Sequence, residues 1–400
     1  MENSIKDIGE ACTGCRACEY VCNKSAIKYR ENKEGFIYPK VNLDKCVQCG
    51  KCRKVCPTIH INATHYQQKA YAAYLKDEKL LLQSASGGIF AELSLNIIKK
   101  RGIIVGCGMD ENYLPVHMLV ESAEEIKVLQ SSKYAQSNMN DIYARVIERV
   151  CNGQLVLFSG TPCQVAGLVN LFPDGVPDNL FTCDIICHGV PSRMLLKKYY
   201  EWLEKKYQGK LISYNFRSKA RNGWSLTYRA EFKCKGNKRK KIENIASIDP
   251  YYNSFLAAEN YRESCYICPY SQKRRVGDIT IGDFWGIEKE MPELKNMNGV
   301  SAVLINTKKG MTLFDEIIDS TVAREVLPEM VFRNNGNLNN PSKRPDCRDS
   351  YYDIVNSFGF DFIYMTLSKT KRFKIEKIRN IFSNKTRQNV KKIIRIIYKK

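Results

Sequence analysis

The sequence predicts an α/β protein: a small α+β module at the N-terminus, then a larger α/β domain on a mixed, largely parallel sheet. Three observations lead there. A cysteine pattern confined to residues 12–56 repeats itself around a strand-like run. From Lys69 onward, short β-type runs alternate with helical periodicities, as in a parallel sheet covered by helices. With 400 residues, 44% of them apolar and 26% charged, the chain can bury a sizeable core and is long enough for two or three domains.

In the first module Cys12, Cys15, Cys18 and Cys22 follow Cx2Cx2Cx3C, and Cys46, Cys49, Cys52 and Cys56 repeat the spacing 34 residues later, with Pro57 next. This is the run of bacterial ferredoxins with two 4Fe–4S clusters. Three thiolates two residues apart wrap one cubane, and the fourth lies far enough round the turn to reach the other cluster. One cluster is therefore assigned to Cys12, Cys15, Cys18 and Cys56, and the second to Cys46, Cys49, Cys52 and Cys22. Structural zinc sites instead use two ligand pairs split by a longer gap. Asn23 stands where a proline usually closes the first run; that proline shapes a turn and ligates nothing. Between the runs, Ile27, Tyr29, Phe36, Ile37, Tyr38 and Val41 flank a polar turn at Asn32–Gly35, the pattern of a hairpin.

In the body, KAYAAYL reads as a strand, after which Ser86 can cap a helix carrying Ile89, Leu93 and Ile97. GIIVGCGM and PVHMLV read as strands, Ser122 and Glu125 as a capping box, and Ile142, Val146 and Val150 as one helical face. QLVLF and LFTCDII are strands that run into loops, Ser159-Gly-Thr-Pro162 and Cys187-His-Gly-Val-Pro-Ser192, each followed by a helix. Ligands of such sheets collect beyond the carboxyl ends of the strands, and both loops lie there. SLTYRAEFKCKGNKRKKIENIASI reads as a hairpin turning at Gly236-Asn237. A last strand ends in Gly282-Asp-Phe-Trp-Gly286.

Seventeen cysteines in tight CxxC groups, in a long chain whose start lacks a basic and then apolar leader, indicate metal ligation in a reducing cytosol rather than disulfides. No apolar run approaches the eighteen or so residues of a membrane span. The net charge of +21 suggests nucleic acid until its distribution is read. Residues 369–400 hold thirteen Lys or Arg against Glu376 alone, leaving 50 basic and 41 acidic residues elsewhere. Outside the tail no basic face interleaved with aromatics emerges, so no nucleic acid is expected. The tail mixes its charge with Phe373, Ile378, Ile381, Phe382, Ile393, Ile394 and Ile397 near helical spacing. It reads either as a solvated helix or as a contact for an anionic membrane face or a partner.

Seven motifs in order, SASGGIF (84–90), SSKYAQS (131–137), GTPCQVAGL (160–168), CHGVPS (187–192), FRSKARNGW (216–224), SCYICPY (264–270) and GDITIGDFWG (277–286), make the chain resemble the coenzyme F420 hydrogenase/dehydrogenase beta-subunit family. The resemblance spans roughly residues 66–290. It implies an FAD-containing oxidoreductase passing electrons between a two-electron carrier and iron–sulfur clusters. Known relatives act on a deazaflavin coenzyme or reduce a chlorophyll side chain, so architecture and cofactor are implied more sharply than substrate. The implied layout is 1–64 ferredoxin-type, 65–150 and 151–345 the two halves of the flavin-dependent domain, and 346–400 a basic helical tail. Flavin contacts are expected from Ser86, Gly87, Gly88, Lys133, Tyr134, Gln136, Ser137, Gly160, Thr161, Pro162, Gln164, Gly282 and Asp283. Each also has a plain structural reading: Ser86-Gly87-Gly88 as a tight turn, 133–137 as a surface loop, Asp283 and Trp285 as a strand end and a core filler. His188 reads as a proton donor or a hydrogen-bonded structural residue; His60, His65 and His117 show no partner pattern.

Nine cysteines lie outside the ferredoxin runs. Cys163 and Cys187 follow successive strands, Cys265 and Cys268 form a CxxC pair before Pro269, and the family motifs carry cysteine at all four places. They are the expected ligands of a third 4Fe–4S cluster, with Cys183 an alternative to Cys187 and a zinc site or unlinked thiols the competing readings. Cys107, Cys151, Cys183, Cys234 and Cys347 otherwise read as small apolar residues. The expected partner is a redox protein or a small electron carrier, and an electron-transfer subunit without its own substrate site is the second reading.

Overall fold

In the computed structural model of the protein, which describes residues 4–62 and 68–381, the N-terminal repeat closes on itself. Strands β1 (Ile27–Glu31) and β2 (Ile37–Val41) pair antiparallel, Ile27 opposite Val41. Asn32 fixes the turn by accepting from the backbone N–H groups of Glu34 and Phe36. Ile5 and Ile27 pack with Cys18, Cys52 and Cys56 in a small core. The repeat extends to the backbone: positive φ falls at Gly14 and Arg16 in the first run and at Gln48 and Gly50 in the second. Left-handed residues set among right-handed ones turn successive N–H groups to one side, a concavity suited to an anion.

The next strands are β3 (Lys69–Leu75), β4 (Ile103–Met109), β5 (Pro115–Val120), β6 (Val156–Gly160) and β7 (Leu180–Ile185). Three more, β8 (Gly209–Asn215), β9 (Thr227–Cys234) and β10 (Arg239–Ile245), form a separate antiparallel sheet, β10-β9-β8. Its hairpin turns through Gly236 and Asn237, both at positive φ, where the sequence places it. β8 extends it by a strand that its own pattern, half polar, does not announce. Finally β11 (Ile279–Asp283), β12 (Ser301–Ile305) and β13 (Thr321–Val326) complete an eight-stranded sheet of order β13-β3-β12-β11-β7-β6-β4-β5. The centre, β4-β6-β7-β11, is parallel, and the flanking pairs are antiparallel. The sheet is thus mixed with a parallel heart. β3, from near the start of the body, is inserted between β12 and β13.

Alternation along β6 sends Val156 and Phe158 to one face and Leu157 to the other. Helices Ile142–Cys151 and Pro162–Val169 cover the first face with Val146, Val150, Val165 and Leu168. Helices Ile89–Lys99 and Lys308–Asp315 cover the second with Leu93, Ile97, Leu313 and Phe314. Each such side chain, fully buried, contributes about 1.5–3 kcal/mol. The first of these helices on the second face is capped not by Ser86 but by Gly88, at φ +86, because Ser86 Oγ donates to the Val300 carbonyl just before β12.

A separate aromatic core joins helix Arg193–Tyr207, the three-stranded sheet, helix Pro250–Leu256 and helix Arg348–Lys369, which is interrupted at Gly359. Tyr199, Tyr214, Tyr228, Tyr251 and Tyr252 are buried there. Arg348 reaches from the C-terminal helix to Glu34 in the turn of the N-terminal hairpin, clasping the module to the body. In helix Lys371–Ile381, Phe373 is buried beside Ile245 and Ile248, whereas Ile378 is exposed. The rest of the apolar tail pattern, Phe382, Ile393, Ile394 and Ile397, lies outside the described residues, as does His65. Among the described residues no helix is long and apolar enough to cross a membrane.

Candidate functional site

Three neighbouring parallel strands, β6, β7 and β11, deliver their carboxyl ends to one place, and the loops that leave them carry Thr161–Cys163, Cys187–His188 and Asp283–Trp285. There they border a cavity of about 550 Å³. Of the residues expected around a flavin, Ser86, Gly88, Lys133, Tyr134, Gln136, Ser137, Gly160, Thr161, Pro162, Gln164, Gly282 and Asp283 all line it. Gly87 does not. A Cβ there would lie 2.2 Å from the Ala73 carbonyl oxygen, and its N–H donates to Ser301 Oγ, so this glycine lets the chain pass against the sheet. Segments 84–91 and 129–137, separate in sequence, meet across the cavity.

Several of these side chains are held by each other. Lys133 Nζ donates to the carbonyls of Leu129 and Gln130 at 2.8 and 2.7 Å, closing the end of a short helix. Burial without a carboxylate pulls its pKa down to about 8. Gln164 accepts the Thr161 N–H at 2.9 Å, capping helix Pro162–Val169, and donates to Ser137 Oγ at 2.8 Å. Ser137 leads to a residue for which the sequence shows no partner, His117 on β5. The His117 ring is buried, with Nε2 3.1 Å from the Ser159 carbonyl and Nδ1 2.9 Å from Ser137 Oγ. A carbonyl only accepts, so Nε2 carries the proton and Nδ1 accepts from the serine. Nothing in a one-residue pattern signals this; only the pairing of β5 beside β4 reveals it.

Burial pushes the His117 pKa down from 6.5 to about 4. Unfolded chain therefore takes up a proton below pH 6.5 that folded chain refuses until about 4. Stability is lost as pH falls through that window, to a total of about 3 kcal/mol. In His117→Gln the urea midpoint should fall less steeply than in wild type between pH 7 and 5. Identical slopes would show that the ring is not held neutral.

Also on the cavity wall, Arg217 donates to Asp283 Oδ2 at 2.7 Å and to Tyr134 Oη at 3.1 Å, and Trp224 Nε1 donates to Asp283 Oδ1 at 2.8 Å. Trp224 and Trp285 stack with centroids 5.3 Å apart. Lys219 donates to the carbonyls of Leu81 and Ser86, and burial, then the neighbouring Arg217 charge, lowers its pKa to about 7. His188 is lowered by burial and borders the same space. Arg217 and Lys219 come from FRSKARNGW; their positive charges, buried on a loop, are the signal that sequence reasoning overlooks.

None of the seventeen cysteines is joined to another by a disulfide. Cys12, Cys15, Cys18 and Cys56 are buried together, and each of the first three feels the charge of Cys56. Cys22, Cys46, Cys49 and Cys52 line a small void that opens to the surface, where Cys49 is exposed. Cys163, Cys187, Cys265 and Cys268 line the large cavity. Burial first, then the neighbouring thiols, pushes Cys163 up to about 11 and Cys265 to about 12, and raises Cys187 well above the ordinary range. Such thiols ionise only beside a counter-charge of the kind that bound iron supplies. Cys183 packs in the sheet core with Ile279 and Val303 and does not border the cavity. Cys107 does border it, beside Lys133. Among the described residues no three of His, Cys, Asp or Glu are gathered tightly enough to hold a single metal ion.

Comparison with known proteins gives two family matches. Residues 153–329 match the C-terminal part of "Coenzyme F420 hydrogenase/dehydrogenase, beta subunit", and residues 11–59 match "4Fe-4S dicluster domain". Among curated proteins, the chain is 30% identical over 177 residues to the coenzyme F420-dependent sulfite reductase of Methanocaldococcus jannaschii, covering 42% of this chain and 26% of that protein. It is 35% identical over 63 residues to the ferredoxin-type protein NapF of Escherichia coli, covering 14% of this chain and 38% of NapF. The matched segments thus span well under half the length of these relatives. A chain of the F420-reducing NiFe hydrogenase complex from Methanosarcina barkeri superposes with a TM-score of 0.42 and 16% identity, over 78% of this chain and 94% of that one.

Proposed function

We propose that this chain, whose residues 153–329 belong to the coenzyme F420 hydrogenase/dehydrogenase beta-subunit family and whose residues 11–59 belong to the 4Fe–4S dicluster domains, is an FAD-dependent iron–sulfur oxidoreductase. The observation that carries the reading is the cavity. At about 550 Å³ it has the size of a cofactor site, and it lies where open α/β sheets bind ligands. FAD bound there supplies the exchange between a hydride pair and single electrons.

The residues present fit that group. The N–H groups behind Gly88 and Thr161 begin helices of eleven and eight residues, where a pyrophosphate is favoured. Tyr134 and Trp285 offer aromatic faces, and Arg217, fixed by Asp283, holds a positive charge at one wall. The Gln164–Ser137–His117 chain offers neutral, mutually satisfied polar groups along the cavity lining. We assign the carrier to the deazaflavin class on the family alone, the flat Trp224–Trp285 pair being suited to a planar ring.

The cysteine sets fall in an order suited to single-electron relay. The third borders the cavity, the first is buried, and the second reaches the surface. Tyr270 lies between the third and the first, feeling Cys163, Cys268, Cys15 and Cys56 together. Around the second set, Leu43 and Val47 are exposed among Lys45, Lys51, Arg53 and Lys54, a surface that suits an acidic redox protein as partner. Anaerobic purification followed by acid release should yield about one FAD per chain. Protein that keeps its iron yet retains no flavin after incubation with excess FAD and desalting would instead be an electron-transfer subunit without a substrate site.

A further inference from the structure

Three arginines head the fully buried side chains of this protein: Arg262, Arg275 and Arg348. Two meet carboxylates. Arg275 lies 3.2 Å from Asp184, and Arg348 lies 2.8 Å from Glu34 with Glu263 at 3.5 Å. Arg262 has none within ion-pair distance among the described residues. Its guanidinium donates to the carbonyls of Cys12 and Ile37 and to Gln136 Oε1, and its Cζ sits 4.2 Å from the centre of the Tyr38 ring. Its own backbone N–H donates to Val190 in the loop that carries Cys187. A guanidinium keeps its proton in any protein, and a buried charge with no opposite charge is costly. The opposite charge must therefore be sought among the groups around it. These are the thiols of two cysteine sets: Arg262 holds the Cys12 carbonyl of the first set, lines the large cavity with Cys163, Cys187, Cys265 and Cys268 of the third, and accepts the Cys265 N–H at its own carbonyl.

We propose that Arg262 is a positioning residue that serves as one fixed counter-charge for two clusters, the buried N-terminal one and the one at the cavity, and so sets their reduction potentials together. The inference rests on the reading that both sets hold 4Fe–4S clusters. Reduction adds one electron, supplied in the test by dithionite, and so one negative charge to a cluster. A positive charge held close in a poorly polarisable interior favours that state and raises the potential. Through its guanidinium Arg262 ties the Cys12 loop to the hairpin strand at Ile37, and through its backbone N–H it ties both to the loop after β7, so the two centres share its field by construction. The outer set, Cys22, Cys46, Cys49 and Cys52, reaches the surface at Cys49 and has no such partner in the hydrogen-bond pattern of Arg262.

An anaerobic redox titration followed by electron paramagnetic resonance tests this on the full-length chain, with iron counted on each sample. A Cys265→Ser/Cys268→Ser variant assigns the cavity signal. In Arg262→Gln the reduced form of both inner clusters should be disfavoured about tenfold or more. That is a fall of about 59 mV in each one-electron midpoint, with the surface cluster unmoved. Arg262→Lys, which keeps a charge but loses the fork, should show a smaller fall at the same two centres. Unchanged midpoints in iron-replete Arg262→Gln, or an equal fall at all three centres, would overturn the proposal. If the glutamine variant loses iron, the lysine variant decides by the same criteria. A wild-type content of about eight irons would show that the cluster reading has failed, and the shared counter-charge fails with it.

Discussion

Fully loaded protein is expected to hold about twelve irons per chain, and replacing Cys265 and Cys268 by serine should lower the count to about eight. Eight of the twelve follow from the repeated Cx2Cx2Cx3C run. The remaining four depend on Cys163, Cys187, Cys265 and Cys268, which three separate segments bring to one cavity. Cys163 occupies the second position of helix Pro162–Val169, where the dipole favours a thiolate. Each of Cys163, Cys187 and Cys265 is raised by burial and then by others of the four, so the set is costly to ionise as bare thiols. The serine pair should leave the N-terminal signals intact and slow electron passage from the cavity to them. Wild type at about eight irons, or a serine variant that keeps all twelve, would remove the third cluster.

A second large effect is expected from the ion pair beneath that cavity. Asp184 on β7 is wholly buried; it accepts from Arg275 at 3.2 Å and from the backbone N–H groups of Val276 and Gly277. Arg275 in turn donates to the Tyr270 carbonyl at 2.7 Å, which fixes the segment that carries Cys268 to the sheet. Asp184→Ala leaves a buried guanidinium without its counter-charge and should cost about 3–5 kcal/mol. At equal iron loading and scan rate, the thermal midpoint should fall on the order of 10 °C. Asp184→Leu/Arg275→Met, which removes both charges, should regain much of the loss. A single variant that melts with wild type would show that the pair is not structural.

The strand–helix order and the N-terminal cysteine geometry are legible because each is written locally. The β-type runs QLVLF and LFTCDII are readable as strands, although the first extends through Ser159 and Gly160, which read as loop, and spacing alone groups the first eight cysteines. What is not legible is set by pairing at long range. The insertion of β3 between β12 and β13 leaves no local trace, since an inner strand reads the same whichever neighbours it has. His117 looks idle in sequence because its partners, Ser137 and Ser159, come from two other segments. Arg262 lies just before SCYICPY and resembles any surface arginine until the hairpin closes over it. Lys133 and Gln164 have the look of ligand contacts, and their polar atoms turn out to hold the wall itself.

The insertion of β3 also has a consequence in time. Ser301, the first residue of β12, follows Leu75, the last of β3, by 226 positions (301 − 75). At a synthesis rate of about 5–20 residues per second, β3 leaves the ribosome about 10–45 s before either of its neighbours exists. During that interval Ala70–Leu75, apolar and with both edges unpaired, has the character of a segment that joins other chains rather than its own. The N-terminal hairpin, whose strands are adjacent in sequence, has no such wait. Synthesis therefore divides the molecule into an electron-carrying head that can form early and a sheet that closes only once β12 and β13 have been made.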